Sequence, residues 1–180
     1  IQAQSLLVAT GSDIDRTVAV AGHKLPMNQL PLLMNISNRI KKIVPHFIQH
    51  VSKDLSLKQV KAGNIIVGGG WPARFKTVNG QADRNSMPEI ILDNVYDNVG
   101  LATSLVPSLN QASLLRTWTG VAGTTPDELP YLGAVCPSSR LYVAGGGSGF
   151  TLGPTIARLI SELISGKQAS MDITSFDPQR

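Results

Sequence analysis

The residues whose types and spacing could do chemistry are concentrated in Gly145-Gly146-Gly147-Ser148-Gly149-Phe150-Thr151-Leu152-Gly153-Pro154. They follow a short apolar run, Leu141 to Ala144, and lead into Thr155 to Ser165, where Ile156, Leu159, Ile160, Leu163 and Ile164 recur at helical spacing. A strand, a glycine turn and a helix in that order let backbone approach a ligand closely and aim the free N–H groups of a helix amino end at it. Such an end stabilises a nearby anionic group by up to ~2 kcal/mol in a sheltered site, so an electron-rich or anionic partner is expected there. The loop does not satisfy the dinucleotide fingerprint G-x-G-x-x-G: counted from Gly145 the sixth position is Phe150, and counted from Gly147 it is Leu152. No Gly-Lys-Ser/Thr closes it as a phosphate-clamping loop either, which leaves a tight structural turn as the alternative.

Other reactive residue types carry weaker signals. His46 and His50 have helical spacing in a stretch that reads as a strand, His23 stands apart, and no carboxylate sits at a metal-ligand spacing beside them, so no metal site is expected. Ser148 lacks the G-x-S-x-G setting of an activated serine. Asp127 and Glu128 are adjacent in a turn and read as organisers of that loop through backbone hydrogen bonds. Trp118 reads as a packing anchor, and Cys136, the only cysteine, as a small buried hydrophobe.

The elements that must position the glycine loop start with Ser5 to Ala9, an apolar run of the kind a parallel sheet buries on both faces. Ser12 and Asp13 can cap a short helix that Gly22 ends. Leu25 to Met34 is extended but contains Pro26 and Pro31, which belong at a sheet edge or a bend, and Asn35 to Lys42 reads as a loop. Three short strands, His46 to Val51, Leu55 to Val60 and Asn64 to Val67, make an antiparallel meander with a turn at Ala62-Gly63. Gly68-Gly69-Gly70 allows a bend or close backbone packing. Ser86-Met87-Pro88-Glu89 has the pattern of a capping box before a helix that reaches Pro107. Leu114 to Gly120 reads as a strand, Ala122 to Gly133 as a structured loop, and Arg140 to Ala144 as a second buried parallel strand. The fold class is therefore α/β (α+β), with residues 1–22 and 119–180 in one nucleotide-type domain and residues 23–118 inserted as an antiparallel-sheet domain with one long helix.

Composition fits this. The chain has 180 residues, 42% of them hydrophobic, which suffices for a real core. Its formal charge of +4 comes from scattered basic residues, apart from Arg39-Ile40-Lys41-Lys42, so nucleic acid is not an expected partner. No apolar run approaches the ~20 residues of a transmembrane helix. A lone cysteine suggests a reducing compartment, hence a cytoplasmic protein, with peripheral attachment to a membrane left open. The chain starts without methionine and almost at once enters a strand, which reads as a piece of something longer.

The order and spacing of Val8-Ala9-Thr10-Gly11, Trp118-Thr119-Gly120, Thr125-Pro126-Asp127 with Pro130-Tyr131-Leu132-Gly133, Tyr142 to Phe150 and Gly153-Pro154 resemble the carboxyl-terminal half of the D-amino-acid-oxidase-like flavoproteins, a group that includes glycine oxidase and the sarcosine oxidase beta subunit. This resemblance implies part of an FAD-binding domain and an antiparallel substrate domain. It implies cofactor contacts from Gly11, Gly145, Gly146, Gly147, Ser148, Gly149, Phe150 and Thr151, with the loop against the isoalloxazine ring and the helix amino end at its pyrimidine side. The implied reaction is oxidation of the C–N bond of an amine or amino acid, hydride passing to flavin N5, with hydrolysis of the imine and oxygen or a respiratory quinone as electron acceptor.

Two departures shape the expectation. The strand, glycine loop and helix that bind the ADP part of FAD in this family are absent, so the chain alone is expected to be an inactive fragment. The arginine that grips the substrate carboxylate in glycine-oxidase-like members falls at Ala122, with Arg116 and Trp118 the nearest candidates for substrate contact; this favours a secondary amine or N-substituted amino acid. Cys136 does not match the cysteine that links FAD covalently in monomeric sarcosine oxidases, so the flavin is expected to be non-covalent. No residue is singled out as catalytic. A homo- or hetero-oligomer fits the resemblance, and the alternative function is a non-catalytic assembly domain or subunit of a flavoprotein complex.

Overall fold

A computed structural model describes residues 2–180. In chain order the elements are β1 (Leu6–Val8), α1 (Ile14–Ala19), β2 (Asn28–Ser37), β3 (Ile48–His50), β4 (Leu55–Gln59), β5 (Ile65–Gly68), β6 (Lys76–Val78), β7 (Gln81–Asp83), α2 (Leu92–Leu105), β8 (Leu114–Thr124), β9 (Tyr131–Ala134), β10 (Leu141–Gly145) and α3 (Gly149–Ile164), with short 3-10 turns at Gly11–Asp13, Pro107–Gln111 and Thr174–Phe176. The chain divides into two compact units, Ile1–Leu30 with Ala122–Arg180, and Pro31–Val121. The mixture of helices with parallel and antiparallel strands is the expected α/β (α+β) class.

The first unit is built on the sheet β1-β10-β9. β1 pairs parallel with β10, Val8 opposite Val143, and β9 runs antiparallel on the other side of β10. Side chains alternate across this sheet. Tyr131, Leu141 and Val143 join Val8 with Ile14 and Val18 of α1 on one face, while Leu132, Tyr142 and Ala144 pack with Leu159 and Ile160 of α3 on the other. β10, the middle strand, is thus covered on both faces, which its unbroken apolar sequence requires. β9 lies where a loop is expected: turn-forming residues flank Tyr131–Ala134, but pairing with β10 outweighs them.

The second unit contains the sheet β3-β4-β5-β2-β8. β3, β4 and β5 pair antiparallel in succession, as the meander pattern implies. Leu55, Leu57, Ile65 and Val67 of this sheet bury against Ala102 of α2 and Leu109 beyond it. Two of the three successive glycines serve close packing: a Cβ on Gly69 would overlap Leu55 Cα, and one on Gly68 the Met34 sulfur.

Three local expectations differ. β2 continues through Ser37, and it lies between β5 and β8 rather than at an edge; the Pro31 carbonyl accepts from Ala73 N–H (2.8 Å). Asn35, expected in a loop, is fully buried in this strand because its amide and carbonyl are both bonded. Helix α2 begins at Leu92, not at Ser86, and its N-cap residue Ile91 makes no side-chain bond. Glu89 is instead drawn into a bridge with Arg74, each backbone N–H donating to the other's carbonyl. The hairpin β6–β7 turns on Asn79-Gly80, where both residues have the positive φ, 51° and 77°, that a two-residue turn of this hand requires.

Candidate functional site

Because β1 and β10 are parallel neighbours, their carboxyl ends emerge at the same sheet edge, the place where open α/β sheets hold ligands. The turn after β1 carries Gly11, and the loop after β10 carries Gly145 to Ser148. Three contacts draw these segments together. A Cβ on Gly145 would lie 2.9 Å from Ile14 Cδ1, a Cβ on Gly123 at the end of β8 would lie 2.5 Å from Ser12 Cα, and Gly147 N–H donates to the Gly123 carbonyl at 2.9 Å.

The loop is then shaped by backbone conformation. Gly146 and Gly147 have φ of 91° and 78°, and Ser148, the N-cap of α3, is also left-handed at φ 34°. The Ser148 side chain makes no capping bond, and the first intrahelical bond runs from Leu152 N–H to the Ser148 carbonyl at 3.0 Å. The N–H groups of Gly149, Phe150 and Thr151 therefore have no intrahelical acceptor. No acidic residue occupies the first turn to offset the helix dipole. Pro154 lies inside the helix and, lacking an N–H, leaves the Phe150 carbonyl without its usual donor. Phe150 itself is 100% exposed, and Gly149 and Thr151 are exposed beside it.

The glycines divide into two kinds. Gly146 is buried, and a Cβ there would meet the Thr125 methyl at 2.9 Å; a Cβ on Gly147 would meet the Glu128 carbonyl oxygen at 3.1 Å. These two are needed by the chain's own packing. Gly149 and Gly153, by contrast, have nothing within 4 Å of an added Cβ and do not have positive φ. They stand one helical turn apart on one face, so the start of α3 forms an open cradle of bare backbone that side chains would fill. A flat, electron-rich group such as an isoalloxazine ring would meet bare backbone and free donors on such a surface.

Arg116 and Trp118 are neighbours on one face of β8, the guanidinium carbon 5.5 Å from the centre of the Trp118 ring. The intervening Thr117 points the other way and donates to Asn35 Oδ1 at 2.6 Å, and Thr119 donates to the Pro88 carbonyl at 2.8 Å. Arg116 is exposed and Trp118 half-buried. These two belong to the second unit, whereas Ala122 opens the returning segment of the first. The helix α2 side of the second unit also holds a groove of about 510 Å³, with Val67, Val95, Tyr96 and Leu109 among its lining residues.

A cluster beneath the glycine loop escapes the sequence reading. Arg180 grips the Asp127 carboxylate with two bonds, Nε to Oδ2 at 2.6 Å and Nη2 to Oδ1 at 2.8 Å, and lies over the Tyr131 ring at 4.7 Å. The guanidinium holds the Asp127 carboxyl well below the usual carboxylate range, and Asp127 in turn raises the Arg180 pKa. Burial raises that of the Tyr131 hydroxyl, which donates to the Pro26 carbonyl at 3.0 Å. Asp127 Oδ1 accepts from Leu129 N–H at 3.2 Å, the loop-organising bond expected of it. Nothing in the pattern of Asp177-Pro178-Gln179-Arg180 marks the arginine; only its partner, an acid in a Thr-Pro-Asp turn, gave a local signal. Among the described residues no three His, Cys, Asp or Glu side chains could hold a metal ion, and no helix is long and apolar enough to cross a membrane.

This architecture has known counterparts. Residues 1–163 match the family model described as FAD dependent oxidoreductase (DAO). The chain is 30% identical over 148 residues to the sarcosine oxidase subunit beta of Arthrobacter sp, covering 77% of this chain and 34% of that protein. It is 35% identical over 81 residues to the glycine oxidase of Geobacillus kaustophilus (strain HTA426), covering 44% of this chain and 22% of that one. Among solved structures, L-proline dehydrogenase from P. horikoshii superposes over 100% of this chain and 47% of its own at a TM-score of 0.84 and 25% identity. Glycine oxidase from Geobacillus kaustophilus does so over 100% and 46% at 0.83, with 22% identity. The chain thus spans 34% and 22% of these two curated relatives and about half of the two structures. By the extent of the family match, which covers residues 1–163, the chain belongs to the DAO family of FAD-dependent oxidoreductases.

Proposed function

We propose that this chain is the carboxyl-terminal portion of an enzyme that oxidises the C–N bond of an amino acid or secondary amine with non-covalent FAD. The observation that carries this reading is the cradle at the start of α3, where Gly149 and Gly153 are bare and open while the N–H groups of Gly149, Phe150 and Thr151 lack intrahelical acceptors. In this reading Ile1–Leu30 with Ala122–Arg180 belongs to the FAD-binding domain and Pro31–Val121 to the substrate domain. FAD, when bound, supplies the two-electron acceptor for the C–N bond, and water then hydrolyses the imine product.

The chain's own contribution is positional and electrostatic. Gly146 and Gly147 bend the backbone so that α3 starts at the sheet edge, and Gly11 leaves the neighbouring turn free of side chain. The N–H groups at the helix start donate toward the site and hold a fixed positive partial charge where negative charge accumulates during turnover. Phe150 offers a fully exposed apolar ring at the same end, available to pack on a bound cofactor. Arg116, stacked with Trp118, is the candidate for binding an anionic group of the substrate; Ala122, where the family resemblance places a carboxylate-gripping arginine, carries no charge, which favours a secondary amine or N-substituted amino acid.

The test is FAD titration of the full-length apoprotein. Gly149→Val and Gly153→Val should fold normally, because each added side chain enters open space, yet bind FAD at least tenfold more weakly. Unchanged FAD affinity in both would contradict the placement of the cofactor at α3.

A further inference from the structure

The segment after α3 is a strap across the free edge of β9. Ile173 and Phe176 pack on the α3 face of the sheet. The chain then passes around the edge, where Gln179 Nε2 donates to the Val135 carbonyl at 3.4 Å, and Pro178 fills the space at Gly133, whose Cβ would lie 3.2 Å from Pro178 Cδ. It ends with Arg180 on the opposite face, over Tyr131.

Arg180 there ties one turn at several points. Besides the two bonds to Asp127, Nη2 donates to the Leu129 carbonyl at 2.5 Å and Nη1 to the Asp177 carbonyl at 3.0 Å. The arginine side chain is 19% exposed and the Asp127 carboxylate 45%, so the arginine is largely covered while its acid partner still meets solvent. The turn it holds is otherwise costly. Glu128 sits at φ 64°, a conformation unfavourable for a residue with a side chain, and it is closed by Thr125 Oγ1 donating to the Leu129 carbonyl at 2.6 Å. The opposite side of this turn forms the seat of the glycine loop: the Thr125 methyl lies under Gly146 and the Glu128 carbonyl beside Gly147.

We propose that Arg180 and Asp127 are positioning residues for the cofactor, fixing the Thr125–Leu129 turn that seats Gly146 and Gly147 and so setting where the start of α3 meets the flavin. This rests on the cofactor reading above and adds to it a control element that touches neither substrate nor flavin. The guanidinium matters as a fork: a lysine would keep the charge but could not bridge both Asp127 oxygens and the Leu129 carbonyl at once.

The experiment compares Arg180→Ala, Arg180→Lys and Asp127→Asn in the full-length protein by two readouts. In the apoprotein, amide exchange at Gly147, whose N–H donates to the Gly123 carbonyl, should quicken at least tenfold in both arginine variants. In the FAD-loaded protein, the flavin midpoint potential should move by about 30 mV or more, a tenfold change for a two-electron couple, and lysine should not rescue it. Asp127→Asn keeps an acceptor for Leu129 N–H and decides the matter if the arginine variants fail to fold. Wild-type exchange and potential in a folded variant would overturn the proposal. A wild-type protein that takes up no FAD would instead overturn the cofactor reading, and the exchange data would still report whether Arg180 holds the loop.

Discussion

Gly146 and Gly149 are three residues apart and identical in type, yet the structure gives them opposite constraints. Gly146→Ala must place a methyl 2.9 Å from the Thr125 side chain at φ 91°. It should destabilise the fold by about 1–3 kcal/mol, read as a lowered urea midpoint. Gly149→Ala enters open space on a helix and should change stability by no more than ~1 kcal/mol, with a gain as the expected sign. Asp127 makes a prediction in pH. Arg180 lowers its folded carboxyl pKa below the unfolded value, so the pair's stabilisation is fully present above the unfolded pKa of about 3.9 and is lost as pH falls through the lower folded value. Thermal unfolding of wild type and Arg180→Ala should therefore differ by a constant interval from pH 5 to pH 7, and the interval should shrink below pH 4. An interval that stayed constant into acid would show that Arg180 acts by packing alone.

At the scale of elements, the body of α3 from Thr155 on was legible because two independent signals agree, Leu159 and Ile160 marking its buried face and Gly166, at φ 73°, its end; its start at Gly149 was not, because Gly149, Gly153 and Pro154 read as turn. The meander was legible from its alternating strands. What escaped depends on tertiary pairing. Tyr131–Ala134 becomes a strand only because β10 lies beside it, and the start of α2 is displaced because Glu89 bridges to Arg74. Asn35 read as loop because an asparagine in a strand is unfavourable alone; Asn98, from the buried face of α2, makes it acceptable. Asn35 Nδ2 donates to Asn98 Oδ1 at 2.9 Å, and Asn98 Nδ2 donates to the Gly68 carbonyl at 3.0 Å. Asn98→Leu should strand both of those groups without water and lower stability by about 1–3 kcal/mol, measured by denaturant unfolding. Within the candidate site, the glycine loop could be read directly, whereas Arg180 could not, because its partner lies 53 residues away in sequence.

At the scale of the molecule, the two units have separate cores, one pair of clusters around β10 and one beneath α2. This division assigns different chemistry to each: bare backbone and helix charge at the sheet edge of the first, and the Arg116–Trp118 pair on β8 in the second. Arg116→Ala should accordingly raise KM for a carboxylate-bearing substrate at least tenfold with little change in the bound flavin spectrum, measured by steady-state kinetics beside absorbance. The most direct measurement is the visible absorbance of the purified full-length protein under anaerobic conditions, before and after amino acids and secondary amines are added. A bound flavin whose absorbance bleaches with at least one of these substrates is the predicted result. A protein that remains colourless after incubation with FAD, or a bound flavin that no amine or amino acid reduces, would contradict it.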